Sequence, residues 1–423
     1  MPPNRIAVLL LGLLITPVFA ESPAVLTWPD CVRLAAERNL DLQSNRRAQQ
    51  SSRAAYLGSY NGILPQLSLQ NSYTKGKAST DNSASESWRA QGTASLNLIN
   101  FNQWATIRST KASWQQSQAN FGTSSTNVLF NLYKAFAGTL YAQQQISVAK
   151  KIQAIWQTDA ELIRLRYASG RESKGNQMRT DAELLQAQVD LLQAGRDLRV
   201  AQQTLSQVLG EEQYKAWIVT GTWTSGSLPP SPPNLDLLLD HEPRLLAQQA
   251  LIDQARAAVA SAHSSFWPNV SVSYNRGFQD STEFPTANPY WTFTGLLNYP
   301  LFGGGPTATY FASASAQRSL EKAQLDLRAL RNQIRSDLES AWSGYVQAVD
   351  QVRTQRAFLE AARQRREESD IRYQSGLMSF EEWQLVVADL VNFEKSYLKS
   401  QQNLLLAEAQ WRFAAGEQLG DRL

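Results

Sequence analysis

Apolar positions follow two rhythms along the chain, and each rhythm occurs twice. In the first, Leu184, Ala187, Leu191, Ala194, Leu198, Ala201, Leu205 and Val208 step alternately by three and four, the narrow seam of a coiled-coil helix. The same seam returns as Leu390, Phe393, Tyr397, Ser400, Leu404, Ala407, Trp411 and Ala414. In the second rhythm, Trp88, Ala90, Gly92, Ala94, Leu96 and Leu98 alternate with Arg89, Gln91, Thr93, Ser95 and Asn97. Its counterpart sets Trp291, Phe293, Gly295, Leu297, Tyr299 and Leu301 against Thr292, Thr294 and Asn298, with Leu296 breaking the polar set. Period two over this length predicts strands with one apolar face, long enough to cross a bilayer at a tilt. Shorter partners precede them: Leu67, Leu69 and Tyr73 in one copy, Val270, Val272 and Tyr274 in the other, with polar loops over 76–86 and 277–289.

Two copies of one unit therefore fill the chain. Arg166-Tyr167-Ala168-Ser169-Gly170 returns as Arg372-Tyr373-Gln374-Ser375-Gly376, and Gly210-Glu211 as Gly416-Glu417. Pro65-Gln66-Leu67-Ser68-Leu69 returns as Pro268-Asn269-Val270-Ser271-Val272. Self-similarity on this scale marks a duplicated architecture. The first repeat takes 21–220, with a helix over 30–62, a β-hairpin at about 63–101 and a long helix pair at about 102–210. The second takes 235–423, with a helix over 235–266, a hairpin at about 268–302 and a helix pair at about 306–416. Between them 221–234, holding Pro229, Pro230, Pro232 and Pro233, reads as an extended linker. Residues 66–228 and 307–423 contain no proline, as suits helices and paired strands that need every backbone donor. A helix over 102–167 would be about 99 Å long at about 1.5 Å per residue. That is a rod, and Gly170 and Gly376 would let the chain reverse at its end.

Composition narrows the function classes. Lys+Arg number 40 against 37 Asp+Glu, a net charge of +3, which is no footprint for nucleic acid. One Cys, two His and three Met exclude a disulfide framework and leave few soft metal ligands. Cys31 reads as a small buried helix residue. His241 and His263 have no zinc-type spacing, and Gly303-Gly304-Gly305 lacks the Lys-Ser/Thr of a phosphate loop, reading instead as a bend from strand to helix. With no paired acid, base or metal groups, neither an enzyme nor a cofactor is expected. Arg5, the apolar run 6–15 and Val18-Phe19-Ala20 form a secretory signal over 1–20. Beyond it no apolar stretch is long enough for a spanning helix, so a membrane would be crossed by strands.

Two hairpins supply four amphipathic strands, whereas closed membrane barrels begin at about eight. Open strand edges are not viable in lipid, so several chains must share one barrel. Three chains, a homotrimer, would give twelve strands around a polar interior. Trp88, Trp291, Tyr73 and Tyr274 would form one aromatic girdle against membrane lipid, and Phe101 and Phe302, with Tyr299, Phe266 and Trp267, the other. The alternative is a secreted periplasmic coiled-coil scaffold with a small β cap.

The order of signal, helix, Pro-led strand pair, long helix, Tyr-x-x-Gly turn and returning heptad helix, duplicated between Leu26-Thr27-Trp28 and Gly416-Glu417, resembles the TolC-like outer membrane efflux protein family. The resemblance implies a mainly α fold with a small β part: a trimeric α-helical coiled-coil barrel continued by a shared twelve-stranded transmembrane β-barrel. It implies a passive exit duct of a tripartite efflux or secretion system, in the outer membrane of a Gram-negative bacterium and extending into the periplasm. There it would dock to a periplasmic adaptor (membrane fusion) protein and an inner-membrane pump, with the tips Gly170, Arg171, Gly376 and Leu377 as docking points.

Matched residue by residue, Tyr373 and Gly376 fall on the family's turn and Glu382 on its first aperture acid. The next acid falls on Leu385, the gate Arg on Met378, and the first repeat's acid on Asn176. Glu382, with Glu381 or Glu172, would form a threefold acidic ring that favours cations. The other reading makes them solvated helix-start carboxylates facing the helix dipole. Tyr167 and Tyr373 are gate contacts or seam packing.

Overall fold

The computed structural model describes residues 25–77, 85–221, 234–239, 242–280, 288–299 and 305–422. The signal over 1–20, most of the linker, His241, Gly303, Gly304 and Phe302 lie outside the described residues.

A short strand, β1 (Val25–Leu26), leads into α1 (Trp28–Arg38). Thr27 and Asp30 start that helix with a capping box, the Thr27 N–H and Oγ1 donating to Asp30 at 3.2 and 2.5 Å. The single helix expected over 30–62 is interrupted at Asn39, where ψ is 124°. The Asn39 side chain accounts for the break. Its Oδ1 accepts from Leu42 N–H at 3.0 Å and starts α2 (Leu40–Ser59), while its Nδ2 donates to the Val208 carbonyl at 2.8 Å.

The first hairpin is β2 (Gln66–Gly76) and β3 (Ser85–Ile99), followed by α3 (Phe101–Ala168) and α4 (Lys174–Leu209). Gly210 ends α4 at φ +79°, and a Cβ there would stand 2.2 Å from the Arg38 carbonyl oxygen. The joint between α1 and α2 thus rests on bare backbone. β4 (Ile218–Val219) pairs in parallel with β1 and ties the ends of the first repeat together. The second repeat runs α5 (Leu235–Leu239), α6 (Pro243–Ser264), β5 (Asn269–Asp280), β6 (Pro289–Asn298), α7 (Pro306–Gln374) and α8 (Phe380–Ala414). With 68 and 69 residues, α3 and α7 are each about 100 Å long.

The two hairpins lie side by side in one antiparallel sheet of order β2-β3-β5-β6. β3 and β5 pair from Trp88↔Asp280 to Ile99↔Val270, with a register shift between Asn97 and Ile99. The loop expected to begin at Gly277 begins later, because Gly277 belongs to the ladder opposite Gln91 and Tyr290. A Cβ there would meet the Ala90 carbonyl at 2.4 Å, so this glycine serves a close approach and not a turn. On the polar face, side chains bond across strands: Gln91 to Gln70 at 3.1 Å, Thr93 to Asn275 at 2.6 Å and Tyr290 to Gln91 at 2.7 Å. Among the described residues β2 and β6 each keep one edge unpaired.

The main core lies where α1 meets the middle of the rods. Cys31, Val32, Leu129, Leu132, Leu205, Leu209, Trp217 and Leu419 are buried together there, and burial pushes the Cys31 thiol up to about 12. The heptad seams close along the helix pairs, with Ala187, Ala194, Leu205, Leu390, Leu404 and Ala414 buried. A second apolar row on α4, with Leu185, Val189, Leu192 and Val200, stays exposed.

Candidate functional site

Both rods reverse at the end remote from the sheet, by the same local means. Gly170 and Gly376 have φ of +71° and +77°. Arg171 N–H donates to the Arg166 carbonyl and Leu377 N–H to the Arg372 carbonyl, each at 2.8 Å, which closes a left-handed helix cap. Ser173 and Ser379 then start the returning helices, their Oγ accepting from Asn176 N–H at 3.1 Å and Glu382 N–H at 3.2 Å. Gly170, Arg171, Gly376 and Leu377 are exposed at these tips.

The turns differ in what surrounds their tyrosines. Tyr167 is 40% exposed, whereas Tyr373 is 2% exposed. Tyr373 stacks on Trp383 with ring centroids 4.7 Å apart and carries the Arg166 guanidinium 4.5 Å above its ring. Its hydroxyl donates to Glu172 at 2.5 Å. Glu172 also accepts from Asn176 Nδ2 at 2.7 Å and from Ser173 N–H at 3.0 Å. Partial burial would raise the Glu172 pKa, but these three hydrogen bonds and the Arg166 charge outweigh it and lower the pKa. Burial and the neighbouring Glu172 carboxylate both raise that of Tyr373. Asn176, where the family's acid was expected, thus holds the carboxylate of Glu172 toward the second repeat.

Glu381 and Glu382 are exposed at the start of α8. Glu382 completes a capping box, accepting from Ser379 N–H at 3.1 Å and Oγ at 3.0 Å, and the Ser379 hydrogen bonds lower its pKa. Met378 packs against the Tyr373 and Trp383 cluster, while Leu385 is exposed.

A charged cluster that sequence reasoning missed sits just above the turns. Arg366 on α7 pairs with Asp159 on α3 at 2.5 Å and with Asp370 at 2.9 Å, and lies 4.9 Å over the Trp383 ring. Trp383 Nε1 donates to Asp370 at 2.7 Å. Asp159 is 2% exposed, and burial raises its pKa to about 6 despite Arg366. The signal was present in the heptads. Ile152, Trp156, Asp159, Ile163 and Arg166 step by four and three, as do Leu359, Ala362, Arg366, Ser369 and Tyr373 in steps of three and four, which puts charges on seams that otherwise bury apolar side chains.

At the other end of the molecule the expected aromatics gather in pairs. Tyr73 and Trp88 rings lie 4.4 Å apart and Tyr274 and Trp291 6.5 Å apart near the loop ends of the strands. Phe101 lies 5.4 Å from Trp267 at the helix end.

This duplicated rod-and-sheet chain matches the sequence profile of the family described as outer membrane efflux protein over 31–211 and 234–417. The chain belongs to this family, of TolC type. The efflux protein is 24% identical over 336 residues to the alkaline protease secretion protein AprF of Pseudomonas aeruginosa, covering 75% of this chain and 67% of that protein. It is also 24% identical over 325 residues to the cobalt-zinc-cadmium resistance protein CzcC of Cupriavidus metallidurans, covering 76% and 73%. Among solved structures, the open state of the Neisseria gonorrhoeae MtrE outer membrane channel superposes with a TM-score of 0.81 at 16% identity, covering 92% of this chain and 88% of that one. The efflux protein shares with such channels a mainly helical fold and a small sheet. Its place is the outer membrane, with the helices extending into the periplasm.

Proposed function

We propose that three copies of this chain form a passive exit duct: a twelve-stranded barrel in the outer membrane continued by a helical tunnel, whose turn end docks to a periplasmic adaptor and an inner-membrane pump. One observation carries the reading: a single sheet of four strands with both edges open among the described residues. Its strands run alternately up and down, so β6 of one copy meets β2 of the next in antiparallel sense, and closure removes every edge. The exposed row of Leu185, Val189, Leu192 and Val200 on α4 supplies an apolar stripe for a neighbouring copy.

The tunnel narrows at the turns. There Glu172 and Tyr373 link the two repeats, and the exposed tips Gly170, Arg171, Gly376 and Leu377 are the surface offered to the adaptor. Glu382, with Glu381, presents negative charge at the mouth of each copy, and three copies make a ring that favours cations. The relatives are named for protein secretion and for metal resistance, so the shared part is the duct and the pump selects the cargo. Fractionation should recover the protein in the outer membrane as a trimer that dissociates on heating. A soluble periplasmic monomer would instead favour the coiled-coil scaffold. In planar bilayers Glu382→Gln should lower cation selectivity, and an unchanged reversal potential would leave Glu382 as a helix cap alone.

A further inference from the structure

β5 carries a charge where its alternation calls for an apolar residue. Val270, Val272, Tyr274, Arg276 and Phe278 share one face, while Ser271, Ser273 and Asn275 turn to the polar side. In the ladder Arg276 stands beside Trp291 on β6 and Gly92 on β3. Other charges on this face have partners. Lys75 and Glu86 pair at 2.5 Å near the loop, and Asp280 at the strand end has contacts of its own. Arg276 is exposed and makes no ion pair or hydrogen bond among the described residues. On the β3 flank Gly92 has no side chain and Leu69 from β2 reaches over it, its Cδ2 within 3.3 Å of where a Cβ would stand, and the exposed indole of Trp291 borders the other flank.

The height of Arg276 on the sheet gives the missing partner its chemistry. Trp267, against Phe101, marks the helix end, and Arg276 lies nine residues further along (276 − 267). At about 3.4 Å per residue and about 40° of tilt this is about 23 Å, close to the apolar band of about 25 Å on such barrels. A fixed cation is costly at mid-bilayer and tolerated at the interface. At this level its stem can lie along the apolar face while the guanidinium reaches the headgroups, where the available acceptors are lipid phosphates. The planar guanidinium fits them bidentately.

We propose that exposed Arg276, beside Trp291 on the apolar face, is a binding site for the phosphate of an outer-leaflet lipid headgroup, one site per copy. The site rests on the barrel reading, since only that reading turns this face toward lipid. The test titrates the purified, detergent-solubilised assembly with short-chain phosphatidylglycerol, counting bound lipid by native mass spectrometry. Matched titrations use an uncharged diacylglycerol and inorganic phosphate. Wild type should hold one phosphatidylglycerol per chain that Arg276→Gln loses with about a tenfold or greater drop in affinity, and Arg276→Lys should keep part of it. Diacylglycerol should not take the site, and inorganic phosphate should not displace the lipid. Equal retention by wild type and Arg276→Gln overturns the site, as does displacement by inorganic phosphate, which would make it an ion site. Both variants are fractionated alongside. If they are outer-membrane trimers with equal lipid retention, only this site falls; if wild type is a soluble monomer, the barrel reading falls with it.

Discussion

Tyr373 and Glu172 come from different repeats, and their 2.5 Å hydrogen bond fastens one turn to the other. Tyr373→Phe removes the donor and leaves Glu172 with Asn176 and the Ser173 N–H. A hydrogen bond to a charged group is worth about 1.5–3 kcal/mol, so this variant should melt earlier and pass more current in planar bilayers. Wild-type melting and conductance would remove the link from the gate. Two carboxylates in this region respond to acid in opposite senses. The lowered pKa of Glu172 means that its contribution is present at neutral pH and is lost as pH falls through the folded-state pKa. Asp159 is raised to about 6, above the unfolded value of about 3.9. Its folded form therefore holds the proton more tightly, and its contribution is full below about pH 4 and lost as pH rises through about 6. Asp159→Asn should flatten the pH dependence of the unfolding free energy between those values, by an amount on the order of 3 kcal/mol, as followed by denaturant melts across that range. An unchanged slope would assign that titration elsewhere.

Among the elements, the parts legible in the sequence are those whose cause is local. Seams stepping by three and four, strands alternating by two and glycines at the reversals all act within a few residues, and each left a pattern. Gly376 illustrates the strength of such a signal: φ of +77° disfavours any Cβ by about 1–2 kcal/mol. Gly376→Ala should lower the melting temperature while Gly344→Ala, in the α7 interior with open space around it, should hold or raise it; equal effects would remove the turn from the account. The break at Asn39 and the β3–β5 ladder join residues from distant parts of the chain, as Asn39 does with Val208, and such contacts leave no period to find. The Arg366 cluster is intermediate: its charges stand on the heptad seams, but the pairing of Arg366 with Asp159 spans distant parts of the chain and leaves no local pattern. The capping role of Glu382 was half legible, since Ser379-x-x-Glu382 is a start signal whether or not the carboxylate also faces a pore.

At the scale of the whole molecule, a continuous sheet whose β2 and β6 edges are free among the described residues would make every seam of the proposed trimer the same β6-to-β2 joint, repeated by symmetry. Because β3 and β5 pair inside one chain, a copy brings its arc of wall already assembled and has no second way to complete it. The genetic consequence is dominance. A chain whose β6 edge is blocked by proline, expressed equally with the wild type, would spoil every trimer it enters, and random mixing leaves about one in eight intact. Heat-sensitive trimer on a gel should fall to that fraction. A fall to only one half would mean that copies choose their own kind before they close, and the allele would then behave as recessive.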